Sequence, residues 1–286
     1  MASPHDKRVQ LRASLDAPEI VAAPGASDPI TAELLELMGF AAVHVSGSVA
    51  HRTSGYSDAG ILTMHEMIER IATMGDVSDI PLIADADTGF GNALNAGRTM
   101  QVYEKAGASA LQVEDQTFPK RCGHLKDKSL ISAQEMASKI AIMADTRKSD
   151  ETLIIARTDA LAVEGYDAAI ERAERYVEAG ADMLFIEAPR SREELETIAE
   201  HFKGRVPLMA NMVEGGKTPY RDAAALGGLG FAMAIFPITN LLAATRAMED
   251  MLGKLRRDGT VDPSAIASFA DMHEISGLAD YLADDR

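Results

Sequence analysis

Short apolar runs alternate with stretches of helical spacing along almost the whole chain. The runs at 19–23, 41–46, 81–85, 110–114, 152–157, 183–187, 206–210 and 231–235 are of strand length. They are nearly continuously apolar, as strands covered on both faces are. Between them, apolar residues recur at helical intervals over 31–38, 64–74, 93–106, 133–147, 166–179, 192–201 and 222–226, and a long last helix is predicted over 241–257. Gly39, Gly107 and Gly180 stand where three of these helices should end through a left-handed residue. Glu104-Lys105-Ala106-Gly107-Ala108 returns as Val177-Glu178-Ala179-Gly180-Ala181, each time just ahead of a strand. Eight such alternations imply a parallel sheet, and eight units close a (β/α)8 barrel. A doubly wound open sheet would carry a glycine fingerprint after its first strand, and the sequence has none there. The expected fold is α/β: one (β/α)8 barrel domain over 1–286, with 240–286 as a C-terminal helical region.

In a barrel the C-terminal ends of the strands converge on one mouth. Ser46, Asp85, Glu114, Arg157 and Glu187 each close a different predicted strand, and Asn211 follows another. Asp85-Ala86-Asp87, with Asp58 in the preceding loop and Glu114 on the next strand, directs four carboxylates at one spot. Their mutual repulsion would be relieved by a hard divalent cation. Mg2+, with Mn2+ as a substitute, fits such a set, most ligands acting through water; the spacing of zinc sites is missing. The plainer alternative is that Asp87 or Thr88 caps the next helix. Ser46-Gly47-Ser48 offers donors for a carboxylate or forms a plain turn. Arg157, at the end of an apolar strand, requires an anionic partner, either a substrate carboxylate or an internal acid.

Lys120-Arg121-Cys122-Gly123-His124 holds the only cysteine, between cations and an imidazole, the surroundings that favour a thiolate. A single cysteine precludes an internal disulfide and suits a reducing compartment. Across 286 residues, 47% are hydrophobic and the formal charge is −16, which suits an acidic enzyme and disfavours nucleic acid or anionic membrane as partner. No run reaches the length of a membrane span and the first residues lack a secretory apolar region, so a cytoplasmic location is expected. Met64, Met67 and Met74 read as core or interface packing.

Asp85-Ala86-Asp87-Thr88-Gly89-Phe90-Gly91-Asn92, Glu114-Asp115-Gln116, Lys120-Arg121-Cys122-Gly123-His124 and Ala156-Arg157-Thr158-Asp159-Ala160 together resemble the isocitrate lyase/phosphoenolpyruvate mutase superfamily. Chain length resembles its short branch, that of 2-methylisocitrate lyases and 2-alkylmalate-cleaving relatives. The resemblance implies a Mg2+-dependent carbon–carbon lyase that cleaves a 2-hydroxy di- or tricarboxylate to a 2-oxo acid such as pyruvate and a carboxylate such as succinate. It further implies Asp85 as direct metal ligand, with Asp58, Asp87 and Glu114 holding metal-bound waters. Cys122 would be the general acid, with His124, Glu187 and Arg157 as its catalytic companions. Ser46, Gly47 and Arg157 would grip the 2-oxo acid carboxylate, and Glu187, Asn211 and His124 would line the other half of the site. Ser48, Asp85, Lys120, Gly123, Glu214, Pro237 and Thr239 complete the implied substrate-binding set. The segment 116–131 would be a mobile lid, and the family's tetramers imply a homotetramer exchanging the helix at 241–257. Glu214-Gly215-Gly216 resembles 2,3-dimethylmalate lyases and oxaloacetate hydrolases, where methylisocitrate lyases tend to have Glu-Phe-Gly; Ser48 replaces a family glycine. Lys217 and Arg246 are candidates for a second substrate carboxylate. Rival readings are a phosphonomutase on the same barrel, which would not need the thiol, and a metal-binding scaffold without turnover.

Overall fold

All eight predicted strands are present in the computed structural model, which describes residues 2–121, 123, 128–219, 222–277 and 282. They are β1 Val21–Pro24, β2 Val43–Val45, β3 Leu82–Asp85, β4 Ala110–Glu114, β5 Leu153–Thr158, β6 Met183–Ile186, β7 Leu208–Asn211 and β8 Met233–Phe236. Every neighbouring pair is parallel, in the order β1-β8-β7-β6-β5-β4-β3-β2. The ring meets itself between β1 and β2 at one bridge, Gly25 to His44, where the Ala26 N–H donates to the His44 carbonyl at 3.1 Å.

Alternation along each strand divides the core into two layers. Inward residues, including Ala23, Ile83, Ile155, Phe185 and Ile235, fill the barrel. Outward residues such as Val45, Ala84, Leu111, Ile154 and Leu184 pack beneath the helices. These helices are α2 Pro29–Leu37, α4 Met64–Gly75, α5 Ala93–Ala106, α6 Ala133–Thr146, α8 Tyr166–Glu178, α9 Arg192–Phe202 and α10 Ala223–Leu229. Met67 and Met74 of α4 are buried in this outer layer, as their spacing predicts. Asn92 caps α5, accepting from Leu94 and Asn95 N–H groups, so neither Asp87 nor Thr88 has that role. Gly107 ends α5 in the left-handed conformation, φ 107°.

Four helices escape the sequence pattern. Short α3 Gly47–Thr53 and α7 Ala160–Val163 lie directly after β2 and β5, and α12 Phe269–Ile275 lies in the C-terminal region. The fourth, α1 Pro4–Asp16, has little apolar periodicity, but Ser3 and Asp6 form a capping box with Pro4 at the first turn. It closes the N-terminal end of the barrel. Leu11 enters the interior cluster, the Lys7 ammonium donates to the Gly75 carbonyl at 2.8 Å, and Arg8 donates to the Glu104 carbonyl at 2.6 Å. The long last helix, α11 Thr239–Asp258, extends beyond its predicted ends and has no buried residue. Met248, Leu252 and Leu255 form an apolar stripe on it and are exposed.

Because Leu11 is fully buried as the barrel's floor plug, Leu11→Ala should destabilise the protein by about 2–5 kcal/mol in urea unfolding. A loss below about 0.5 kcal/mol would show that α1 is not part of the core.

Candidate active site

A cavity of about 320 Å³ opens at the C-terminal ends of the strands. Its wall contains Ser46, Ser48, Asp58, Asp85, Lys120, Gly123, Arg157, Glu187, Asn211, Glu214 and Pro237, all singled out in the sequence. Asp87 and Glu114 stand behind this wall, both buried, and Thr239 donates its hydroxyl to Glu214. Cys122 and His124 lie outside the described residues. Lys217 and Arg246 do not line the cavity; Arg246 is exposed on α11 beside Glu249, at 3.4 Å. The cation at the rim is instead Arg52, whose guanidinium donates to the Ser48 carbonyl at 3.1 Å and to the Ser48 hydroxyl.

Two linked sets of buried charges organise the mouth. In the first, the Lys120 ammonium lies 2.5 Å from Asp58 Oδ1 and 2.9 Å from Asp87 Oδ1. Burial opposes its charge, but Asp87, Glu114 and Asp58 outweigh that cost and hold the ammonium pKa well above its ordinary value. Burial likewise opposes ionisation of Asp58, yet Lys120 holds its carboxyl below the usual range. For Asp87, burial prevails over Lys120 and the pKa rises. In the second set, Arg157 donates from Nε to Asp159 Oδ2 at 2.9 Å and stands 3.1 Å from Glu114 Oε2 and 4.0 Å from Glu187 Oε1. Its guanidinium also lies over the Phe185 ring, 5.2 Å from the centroid. Lys128 donates to Asp159 Oδ1 at 2.5 Å and to the Gly123 carbonyl at 2.7 Å. Arg157 therefore has internal acids as anionic partners while it also lines the cavity.

Local backbone chemistry sets these groups. Asp85 accepts from the Asp87 N–H at 3.0 Å and from the Gly47 N–H at 3.1 Å, so the Gly47 donor is engaged with a carboxylate. A Cβ at Gly47 would sit 2.8 Å from Asp85 Oδ2, so only glycine permits this approach. A Cβ at Gly123 would lie 2.5 Å from Arg157 Nη2 and closer still to Glu187. His51, fully buried, accepts at Nε2 from the Ile61 and Leu62 N–H groups at 3.0 and 3.2 Å. Its Nδ1–H must then donate to the Gly47 carbonyl, 2.7 Å away. The imidazole so ties the loop that carries Asp58 to the start of α3. Asp115 clamps β4 to β5, accepting from the Thr158 hydroxyl at 2.7 Å, the Asp159 N–H at 2.9 Å and the Tyr176 hydroxyl at 2.8 Å.

Among the described residues, no three acidic or imidazole groups come close enough to chelate one ion directly. The donor set nevertheless suits a hard divalent cation that retains its waters. Both oxygens of Glu114 and Oδ1 of Asp87 are buried without an aligned hydrogen bond, despite their ion-pair contacts. Such oxygens have capacity to accept from metal-bound water.

Sequence reading missed several groups at the mouth. Asp159 and Lys128 carry charge pairs, and His44, Gln112, Arg52 and Phe185 line the cavity. Two of these had a legible signal: His44 and Gln112 interrupt otherwise apolar strands.

A (β/α)8 barrel whose mouth gathers acids around buried cations is the frame of an enzyme with its active site at the C-terminal ends of the strands. The chain belongs to the phosphoenolpyruvate phosphomutase family, whose model matches residues 11–256. It is 42% identical over 274 residues to the 2,3-dimethylmalate lyase of Eubacterium barkeri, covering 94% of this chain and 93% of that one. It is 44% identical over 251 residues to the 2-methylisocitrate lyase of Bacillus subtilis, covering 88% and 82%. A phosphonopyruvate hydrolase crystallised with oxalate and Mg2+ superposes with a TM-score of 0.88 at 32% identity, over 99% and 98% of the two chains.

Replacing Asp159 by Asn would leave Arg157 and Lys128 without their shared buried anion, a loss of about 3–5 kcal/mol in urea unfolding at neutral pH. Burial opposes ionisation of Asp159, but Arg157 and Lys128 hold its pKa below the usual value. The charge thus stabilises the fold above the unfolded-state pKa of about 4, and that contribution disappears as pH falls through the folded-state value. The gap between wild type and variant should narrow on acidification; a gap that widens would contradict the assignment.

Proposed function

We propose that this protein is a Mg2+-dependent carbon–carbon lyase that cleaves a 2-hydroxy di- or tricarboxylate to a 2-oxo acid, such as pyruvate, and a second carboxylate, such as succinate. The observation that carries this reading is the cavity wall itself. Ser46, Asp85, Arg157, Glu187 and Asn211, from five strand ends, face one small space beside an acid-rich pocket. The names of the two lyase relatives point to the same chemistry.

In this reading Asp85 holds the metal directly, and Asp58, Asp87 and Glu114 hold its waters through oxygens that include the unpaired ones. Bound Mg2+ supplies Lewis-acid polarisation and a template for the carboxylate and 2-oxygen of the substrate. Ser46 and Arg157 hold that carboxylate, while Glu187 and Asn211, 3.3 Å apart, face the departing half. A base takes the 2-hydroxyl proton, and the electron pair left on oxygen forms the C=O bond as the adjacent C–C bond breaks. The electron pair leaves on the other fragment as an enediolate-like carbanion, and Cys122 returns a proton to it. The segment 116–131 acts as a lid that excludes water during this step. Gly215 and Gly216 line the cavity, so the stretch that resembles 2,3-dimethylmalate lyases and oxaloacetate hydrolases faces the substrate, and 2-methylisocitrate, 2,3-dimethylmalate and oxaloacetate are the candidates.

The working unit in this reading is a cytoplasmic homotetramer of single-domain chains. Its support is α11, a helix of 20 residues with none buried and an apolar stripe at Met248, Leu252 and Leu255. Such a helix gains its stability by packing against something. Leu252→Asp should reduce the mass measured by analytical ultracentrifugation; an unchanged tetramer, or a monomeric wild type, would remove α11 from that role.

Activity is tested by 2-oxo acid release from 2,3-dimethylmalate, 2-methylmalate, 2-methylisocitrate and isocitrate, and by oxalate release from oxaloacetate, each with and without Mg2+. Turnover should require Mg2+, and Cys122→Ser should abolish nearly all of it while Mg2+ binding persists. Silence across the panel with metal bound would sink the lyase reading. Full activity of the serine variant would remove Cys122 as proton donor.

A further inference from the structure

The floor of the cavity holds two polar groups that the chemistry above leaves without work. His44 is the middle residue of β2; Val43 and Val45 face the helices, and His44 faces the barrel interior. It pairs in register with Ile83, an interior residue, and shares the cavity with Phe185 and Ile235. The ring is 2% exposed, and neither Nδ1 nor Nε2 has a hydrogen-bond partner among the described residues. On β4, Gln112 also lines the cavity, and its Oε1 is equally buried and unpaired. Gln112 approaches His44 closely enough to influence it, without forming an aligned hydrogen bond.

Burying polar atoms without partners forfeits their hydrogen bonds to water and is costly. A barrel interior whose apolar cluster is built of Ala, Val, Leu, Ile, Met and Phe could hold an apolar residue at either position at no such cost. Burial drives the imidazole pKa down to about 4, against the attraction of Asp85, so at neutral pH the ring is uncharged and offers one donor and one acceptor. A neutral ring beside Arg157 and Asp85 adds no charge to the mouth. What it adds is direction.

We propose that His44, with Gln112 beside it, is a substrate-binding residue: a ring nitrogen hydrogen-bonds an oxygen of the small carboxylic acid held above it. The floor then selects a ligand whose buried end carries oxygen over one that presents a methyl group there. This rests on the small-acid reading of the cavity given above. Sites built to hydrogen-bond a ligand group reject analogues lacking it, because their own buried groups are then left unpaired.

The test is calorimetric titration of the full-length, Mg2+-loaded protein with oxalate, which has oxygens at both ends, and with pyruvate, which has a methyl at one. The wild type should bind oxalate more tightly. His44→Phe should lose about tenfold or more of oxalate affinity while pyruvate and Mg2+ affinities stay as they were, and His44→Gln should recover most of the loss. Should His44→Phe not fold, Gln112→Leu supplies the same comparison and should likewise lower oxalate affinity selectively. Unchanged oxalate binding in the variant that folds overturns the proposal, as does equal loss of both acids, which would indicate a packing role. A wild type that binds Mg2+ but neither acid overturns the small-acid reading and this inference with it. Normal binding of both acids that is indifferent to His44 overturns the inference alone.

Discussion

The mouth of this barrel is governed by a surplus of buried negative charge. Among the described residues Asp58, Asp85, Asp87, Glu114, Asp159 and Glu187 face three cations, Lys120, Lys128 and Arg157, with all nine groups almost fully enclosed. Carboxylates at such depth cannot all remain ionised against so few cations. Two outcomes relieve the imbalance: protons stay on the acids, or further positive charge enters. Burial already pushes Glu114 and Asp87 toward the protonated form. A divalent cation would displace those protons to solvent and draw the acids toward it. The fold holds this surplus because eight strand ends fix the groups on a rigid ring.

That ring is only as good as the contacts that seat its loops. His51 joins the Asp58 loop to α3 through three hydrogen bonds to main-chain atoms, so it orders one acid without touching the cavity. Asp115 does the same for the β4 and β5 ends. Gly47 and Gly123 contribute by lacking a side chain, one beside Asp85 and the other against Arg157 and Glu187. Positioning by backbone approach leaves little trace in composition, yet it decides where the charges stand.

Much of the architecture was legible because parallel strands covered on both faces cannot avoid continuous apolar runs, and helices in the outer layer cannot avoid amphipathic spacing. All eight strands followed from that constraint, and the acids at the mouth followed from strand ends. The helix α1 was hidden because it buries mainly Leu11 and the stems of Lys7 and Arg8, too few apolar residues to set a period. The short α3 and α7 were hidden because they are extensions of site loops. Asp159 and Lys128 were passed over since charged residues in loops usually face water; here Asp159 pairs with Arg157, two residues away, and with Lys128, far away in sequence. His44 was visible as a polar residue in an apolar strand, but its orientation needed the register of the ring.

Lys120 and Lys128 do not come from the barrel strands. Both belong to the connection between β4 and α6, which is pinned to itself by the pairing of Gln116 with Leu130. Two of the three cations that balance the mouth are thus carried by a strap, and only Arg157 is built into the ring. Displacing the strap would therefore change the electrical character of the cavity as well as its accessibility. An ion entering the acids would compete with Lys120 for the same negative charge, whereas Lys128 neutralises Asp159 and would leave the other acids to the ion. By linkage, if displacing the strap changed the affinity for an ion by some factor, binding of that ion would change the strap's own equilibrium by the same factor.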